Sequence, residues 1–349
     1  MYHCRKYPNF DDVRDIFWTH QNDIKLFNTF SIVFVLNSTY KTNKYRLSLL
    51  EFVGVTSTKL TFSITFVYMM SEKEDNIIWA LVRCRDLLHS KDISPKVIVT
   101  DRDNSLMNVV DIVFLEASTL LCECHIERNV TTKCKMGCKV KDLKSTEVMK
   151  TVIFACEDIV NSDTEQAYID NCNKLKVVCN KFPMFLEYVE ITILGPMKEK
   201  VVKCHAYGEY YNKQSWICTK RLKKYLTSNM SDLSTNWKSV HNMLDSQHTQ
   251  IHASFQTSMI MLEHKFKGKL LWSRLIRNIS RNALHYLANE VDWAVECSTN
   301  KVIVWFSSLT DFRVRVRLHW RSRTTASSVW MKSTLTRGCS LRMKVILRI

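Results

Sequence analysis

The chain has 349 residues, 46% of them apolar, which is too hydrophobic for a disordered composition and long enough for more than one domain. It holds 6 glycines and 4 prolines, with no proline after Pro196, so its second half is expected to be strongly helical. The net charge of +16 is concentrated at one end: from Cys297 onward 11 Lys and Arg face a single acid, Asp311, and the remainder carries only +6. Such a tail favours polyanionic partners through counterion release.

The opening MYHCRKYPNFDD carries charge and no apolar core, so no secretory segment is expected there, and no run approaches the roughly 18 apolar residues that span a bilayer. Thirteen cysteines, an odd number without regular spacing, point to free thiols or a metal site and away from a disulfide framework.

Asp11 to Phe30 has a short helical pattern and reads as a lead-in. Ser31 to Leu36 (SIVFVL) is a continuous apolar run of β-branched and aromatic residues, as expected for a strand covered on both faces, and it ends at Asn37. Leu47 to Thr56 and Leu60 to Met69 read as an antiparallel hairpin closed by Ser57 to Lys59. Ser71, with Glu74 three residues on, reads as a capping box opening a helix whose apolar face is Ile77, Leu81, Cys84 and Leu88.

Val97 to Thr100 is a fourth strand, running straight into Asp101, Arg102 and Asp103. Asp101 is either a helix cap or an acid placed at a strand tip, where α/β folds put chemistry. Asn104 to Phe114 continues as helix, and Thr119 to Cys124 is a short fifth strand followed by His125 and more helix. Three strands in sequence and two more reached through helical crossovers describe an α/β fold: a mixed, five-stranded, ribonuclease-H-like sheet. In that architecture the first and fourth strands are neighbours, and their ends here are Asn37 and Asp101.

An all-helical extension follows, broken at Pro183 and Pro196 and resuming at Lys220 to Leu226 and Trp237 to Glu296. Beyond it FRVRVRLHW reads either as an edge strand with one basic face or as disordered chain. The expected organisation is therefore a helical lead-in at 1–30, the sheet domain at 31–135, the helical extension at 136–296 and a basic tail at 297–349.

Four stretches in order carry a resemblance: LNSTYKTNKYRLSLLEFVGVTS, EKEDNIIWAL, PKVIVTDRDNSLMN and LLCECHIERNV. Together they resemble the transposase domain of Mutator-like elements (MULE) and of the plant far-red-impaired-response-related proteins derived from them, over about Asp11 to Asn129. Lys181 to Lys200 and Arg221 to Glu296 are similar to the later part of the same family. The resemblance implies a two-metal phosphoryl-transfer site using Mg or Mn, built from an acid on the first strand, an acid on the fourth and a glutamate on a later helix.

Carried over by position, the second acid falls on Asp101 and the first on Asn37, whose amide brings no charge and bridges two ions poorly. The third is expected in an Asn-Arg-any-Glu-Ser motif before RLKKYL, where this chain has CHAYGEYYNKQSWICT instead. Cys122 and His125 match the family's Cys-two-His feature. With Cys124, Cys134 and Cys138 nearby, one reading is a zinc site of thiolates and imidazole. The other, favoured by the lack of a paired CxxC, puts Cys122 and Cys124 on a half-buried strand with His125 hydrogen-bonded beside the acidic site.

The resemblance thus implies a nuclear, transposase-derived protein that has lost strand transfer, keeps Asp101 as a vestige, and binds DNA through its basic surface and tail or engages protein partners in transcription. The alternative is an active, metal-dependent transposase or nuclease in which Asp103 or Glu51 substitutes for the missing acids. No membrane partner is expected.

Overall fold

The computed structural model describes residues 1–90, 93–101, 104–138, 145–162, 164–195, 221–226, 228–261, 263–268, 272–273, 275–296, 301–307, 312–320 and 329–337. They divide into two compact units: Met1–Val55 with Thr61–Met243, and Thr56–Leu60 with Leu244–Ile349.

The first unit is built on a mixed seven-stranded sheet: β1 (Tyr2–Lys6), β2 (Val13–Trp18), β3 (Val33–Thr39), β4 (Ser48–Val55), β5 (Thr61–Met69), β6 (Val97–Thr100) and β7 (Ser118–Leu121). Their spatial order is β1-β2-β5-β4-β3-β6-β7. The pairs β3/β4 and β4/β5 are antiparallel, while β3/β6 and β6/β7 are parallel. The five strands from β5 to β7 have the expected ribonuclease-H-like arrangement, with β3 and β6 side by side.

The two further strands replace part of the expected helical lead-in, of which α1 (Gln21–Thr29) is the helical remainder. The charged Asp15 disguised the alternation of β2, because it is fully buried beside Phe17. Arg5 at 2.7 Å and Arg14 at 2.8 Å satisfy its carboxylate, and it accepts from the Met70 amide at 3.0 Å. β1 and β2 thereby extend the sheet beyond β5.

One face of the sheet holds Phe17, Phe34, Leu36 and Phe52. Phe27 of α1 and Phe114 meet Phe34 edge-on at 6.2 and 5.4 Å, and Trp79 of α2 (Glu74–Arg85) meets Phe17 at 6.3 Å. These aromatic edge-to-face pairs fix the helices on the sheet as well as burying area. The helix α2 is not opened by Ser71: its N-cap is Lys73, and the Ser71 hydroxyl accepts instead from Asn76 Nδ2 at 3.1 Å. α3 (Asn104–Val113) returns the chain to β7. Gly54 of β4 is required by a close approach, since a Cβ there would meet the Phe62 ring at 2.3 Å.

The other face carries Val33, Val35, Val53, Val97, Val99 and Leu120 in one apolar cluster with Cys122. Further along the same face Trp18 stacks on Phe66 at 5.5 Å, and Trp237 packs on Trp18 at 4.0 Å. The fifth strand is shorter than its sequence suggests, ending at Leu121, so that Cys122 is the N-cap of α4 (Glu123–Gly137) and not an alternating strand residue. α5 (Ser145–Val160), α6 (Glu165–Val178) and α7 (Pro183–Val189) then pack with α4 around Val130, Val152, Ile159, Leu175 and Phe185. Pro183 starts α7 at a first-turn position, where its missing N–H costs nothing.

The long helix α8 (Leu233–Ile260) begins in the first unit and ends in the second. The second unit continues with a 3-10 turn (His264–Phe266) and α9 (Arg281–Glu296), so among the described residues the α-helical pattern of Trp237 to Glu296 falls on α8 and α9. Phe266 packs edge-on to Trp272 at 5.5 Å, and Ser280 Oγ donates to the Ser57 carbonyl at 2.9 Å. In the basic tail β8 (Lys301–Ser307), β9 (Phe312–Trp320) and β10 (Val329–Arg337) form an antiparallel sheet in which β9, the FRVRVRLHW segment, is the middle strand and not an edge. Among the described residues no helix is long and apolar enough to cross a membrane.

Candidate active site

Parallel pairing of β3 with β6 aligns Val35 with Val99, which brings the ends of both strands, and with them Asn37 and Asp101, to the same end of the sheet. Their surroundings differ. Asn37 is 2% exposed and sits directly across from Glu51 in the β3/β4 register, so both side chains lie on the valine-lined face. Glu51 is also fully buried, accepts from Ser63 Oγ at 2.7 Å and is approached by the Asn37 amide, with the Arg221 guanidinium contributing at longer range. Desolvation outweighs these three favourable influences and pushes the Glu51 carboxyl up to about 7. The sequence offered Glu51 as a substitute metal-binding acid; its burial, which the sequence did not signal, follows from the strand being central in the sheet.

Ser38, the next residue of β3, faces the other way. Its hydroxyl and those of Ser48 and Tyr40 all donate to the Glu72 carboxylate. Asp101, one residue past β6, lines a cavity of about 10 Å³ with Ser38, Leu50, Met69, Glu72, Ile77 and Leu106. The carboxylate that shares a cavity with Asp101 is therefore Glu72. Sequence reasoning missed it because it falls between β5 and α2, in what reads as a cap.

Cys122 and His125 follow the end of β7, which pairs with the end of β6 that leads to Asp101. The Cys122 thiol hydrogen-bonds the His125 ring, and Cys122 and Asp101 together hold the imidazole above its ordinary pKa against burial and Arg128. His125 thus bonds Cys122, the N-cap of α4, and feels the charge of Asp101. Asp103, Glu209 and the CHAYGEYYNKQSWICT segment lie outside the described residues.

Among the described residues, a pair of hydrated divalent ions does not fit. Magnesium retains several waters and needs charged bridging ligands. The Asn37 amide is neutral, buried and turned to Glu51, and the space beside Asp101 is about that of one water molecule. For the zinc reading Cys122 and His125 are described, whereas the Cys124 side chain lies outside the described residues. Among the described residues no third His, Cys, Asp or Glu ligand atom joins them within 4.8 Å, and Cys134 and Cys138 belong to the separate cluster of α4 to α7.

No curated protein matches the chain. Residues 33–129, the segment from β3 into α4 that holds Asn37, Glu51, Glu72, Asp101, Cys122 and His125, match the family model described as the MULE transposase domain.

Proposed function

We propose that this chain is a transposase-derived, DNA-binding protein of the nucleus that does not carry out strand transfer, and that it acts through DNA or through protein partners in transcription. The observation that carries this reading is the Asn37–Glu51 pair. The position that the resemblance gives to the first catalytic acid holds an amide, and that amide is engaged across the sheet with a buried carboxyl group. Loss of one acid removes both charge and a bridging ligand, which positioning elsewhere does not replace. DNA binding is supported by the matched transposase domain and by the net charge of +16, most of it beyond Cys297.

The decisive experiment is cleavage of supercoiled plasmid by the full chain in Mg or Mn, with Asp101→Ala alongside. No nicking above background is expected from either protein. Metal-dependent nicking that Asp101→Ala abolishes would overturn the inactive reading and restore the alternative of an active enzyme.

A further inference from the structure

The connection between β3 and β4, YKTNKYR from Tyr40 to Arg46, holds three cations, two tyrosines and no acid. It leaves the sheet at the Asp101 end. Lys41 and Arg46 both adopt left-handed backbone conformations, with φ of 58° and 59°. Non-glycine residues do so only where their surroundings hold them there.

The means of holding is visible. Asn43, 1% exposed, donates through Nδ2 to the Leu47 carbonyl at 2.8 Å and accepts from the Leu47 amide at 3.1 Å. The buried Thr42 offers its carbonyl to Asn236 Nδ2 at 2.8 Å, and the Lys44 amide donates to the Ser231 carbonyl at 3.0 Å.

With Thr42 and Asn43 turned inward as anchors, the residues between and beside them turn outward. Tyr40 is 63% and Tyr45 52% exposed, Lys41, Lys44 and Arg46 are exposed, and Lys44 Nζ lies 5.1 Å from the Tyr45 ring centre. Two acids border the loop. Glu72 accepts from the Tyr40 hydroxyl, and Asp232, which faces Lys44, caps α8 by accepting from the Thr235 amide at 2.7 Å.

We infer that Tyr40 to Arg46 is a preformed platform for an unpaired DNA strand, with Lys41, Lys44 and Arg46 on successive phosphates and the Tyr45 ring stacking on a base. A duplex presents the phosphates but keeps its base faces stacked away, so an aromatic face set among cations suits single-stranded DNA. Rigid positioning matters because a loop already held by Asn43 and Asn236 loses little freedom on binding. The inference rests on the DNA-binding part of the proposed function and names the surface and the form of DNA.

The test is fluorescence anisotropy of the full chain with a labelled single-stranded 20-mer and with the matching duplex, across a salt series. K41N/K44Q/R46N is the charge variant, because asparagine tolerates the left-handed conformation at 41 and 46. Y45A is the stacking variant, and melting temperatures confirm that both fold. The charge variant is expected to bind single strands at least tenfold more weakly, with a salt slope smaller by about 2, from roughly 0.7 for each phosphate no longer neutralised. Y45A is expected to lose at least fivefold on the single strand and less than twofold on the duplex. Absence of DNA binding by the unaltered chain overturns the proposed function. Binding that both folded variants retain in full, with an unchanged slope, overturns the platform and leaves that function standing.

Discussion

Replacing Glu51 with glutamine isolates what a buried acid costs this sheet. Glu51 is fully buried, and desolvation raises its carboxyl from 4.5 to about 7 despite Ser63, Asn37 and Arg221. Between those two values the folded protein holds a proton that the unfolded chain has released, so stability falls as pH rises through that window. At 1.36 kcal/mol per unit the loss is about 3 kcal/mol and is complete above pH 7. Glutamine is nearly isosteric, can still accept from Ser63, and has nothing to titrate.

The Glu51→Gln protein should match the unaltered one near pH 4.5 and exceed it by about 3 kcal/mol at pH 8. Urea unfolding followed by far-ultraviolet circular dichroism at pH 4.5, 6, 7 and 8 measures the difference, provided that the slope with denaturant is the same for both. Taking the difference removes the pH dependence of every other group. Two curves that run parallel across the range would refute the reasoning, because they would mean that Glu51 ionises in the folded sheet without penalty.

Gly54→Ala should cost about 2 to 3 kcal/mol, read as a lowered urea midpoint, because the new Cβ would sit 2.3 Å from the ring of the fully buried Phe62. Asp15→Ala leaves Arg5 and Arg14 facing each other without their acid and should cost about 3 kcal/mol, with limited proteolysis opening first between β1 and β2. Alkylation at pH 7.5 read by mass spectrometry should modify the exposed Cys4 long before Cys134, Cys138, Cys156 or Cys179. Burial pushes the thiols of Cys156 and Cys179 up to about 12 and about 11 and those of the other two upward as well. Equal labelling of Cys134 and Cys4 would show that the α4 to α7 cluster opens.

What the sequence made legible was what depends on local pattern. SIVFVL and KVIVT read as central strands because nothing polar interrupts them, and the hairpin of β4 and β5 followed from two apolar runs with a short gap. The neighbouring of β3 and β6 was read from the ribonuclease-H-like architecture that the element order suggested, and the two strands pair in parallel. Illegible parts turned on partners distant in sequence. β2 was hidden because Asp15 is buried on Arg5, and the α2 cap was misplaced because the serine that looked like a cap is taken by Asn76. Glu72 had no signal of its own, since Ser38, Tyr40 and Ser48 become its donors only once β3 and β4 pair. At the site, the position of Asp101 was readable and its company was not.

Asn37 and Glu51 are best treated as one coupled pair and not as two independent residues. Cross-strand partners on one face lie about 5 Å apart. A carboxylate at position 37 opposite Glu51 would therefore place two acids together in a water-free sheet, where two like charges at that distance repel by about 3 kcal/mol at an effective dielectric of 20. An amide at 37 removes that repulsion and faces Glu51 with a favourable dipole. It follows that Asn37→Asp alone should destabilise the fold by about 2 to 3 kcal/mol at pH 7, because one of the two carboxyl groups must stay protonated. In the Glu51→Gln background the same change should cost less than half as much, since glutamine can donate to the new aspartate. A double-mutant cycle in urea at pH 7 measures the coupling, expected at about 1 to 2 kcal/mol in the sense that an aspartate at position 37 prefers a glutamine at position 51. Additive costs within about 0.3 kcal/mol would mean that the two positions do not sense each other, and the raised Glu51 carboxyl would then owe nothing to its cross-strand neighbour.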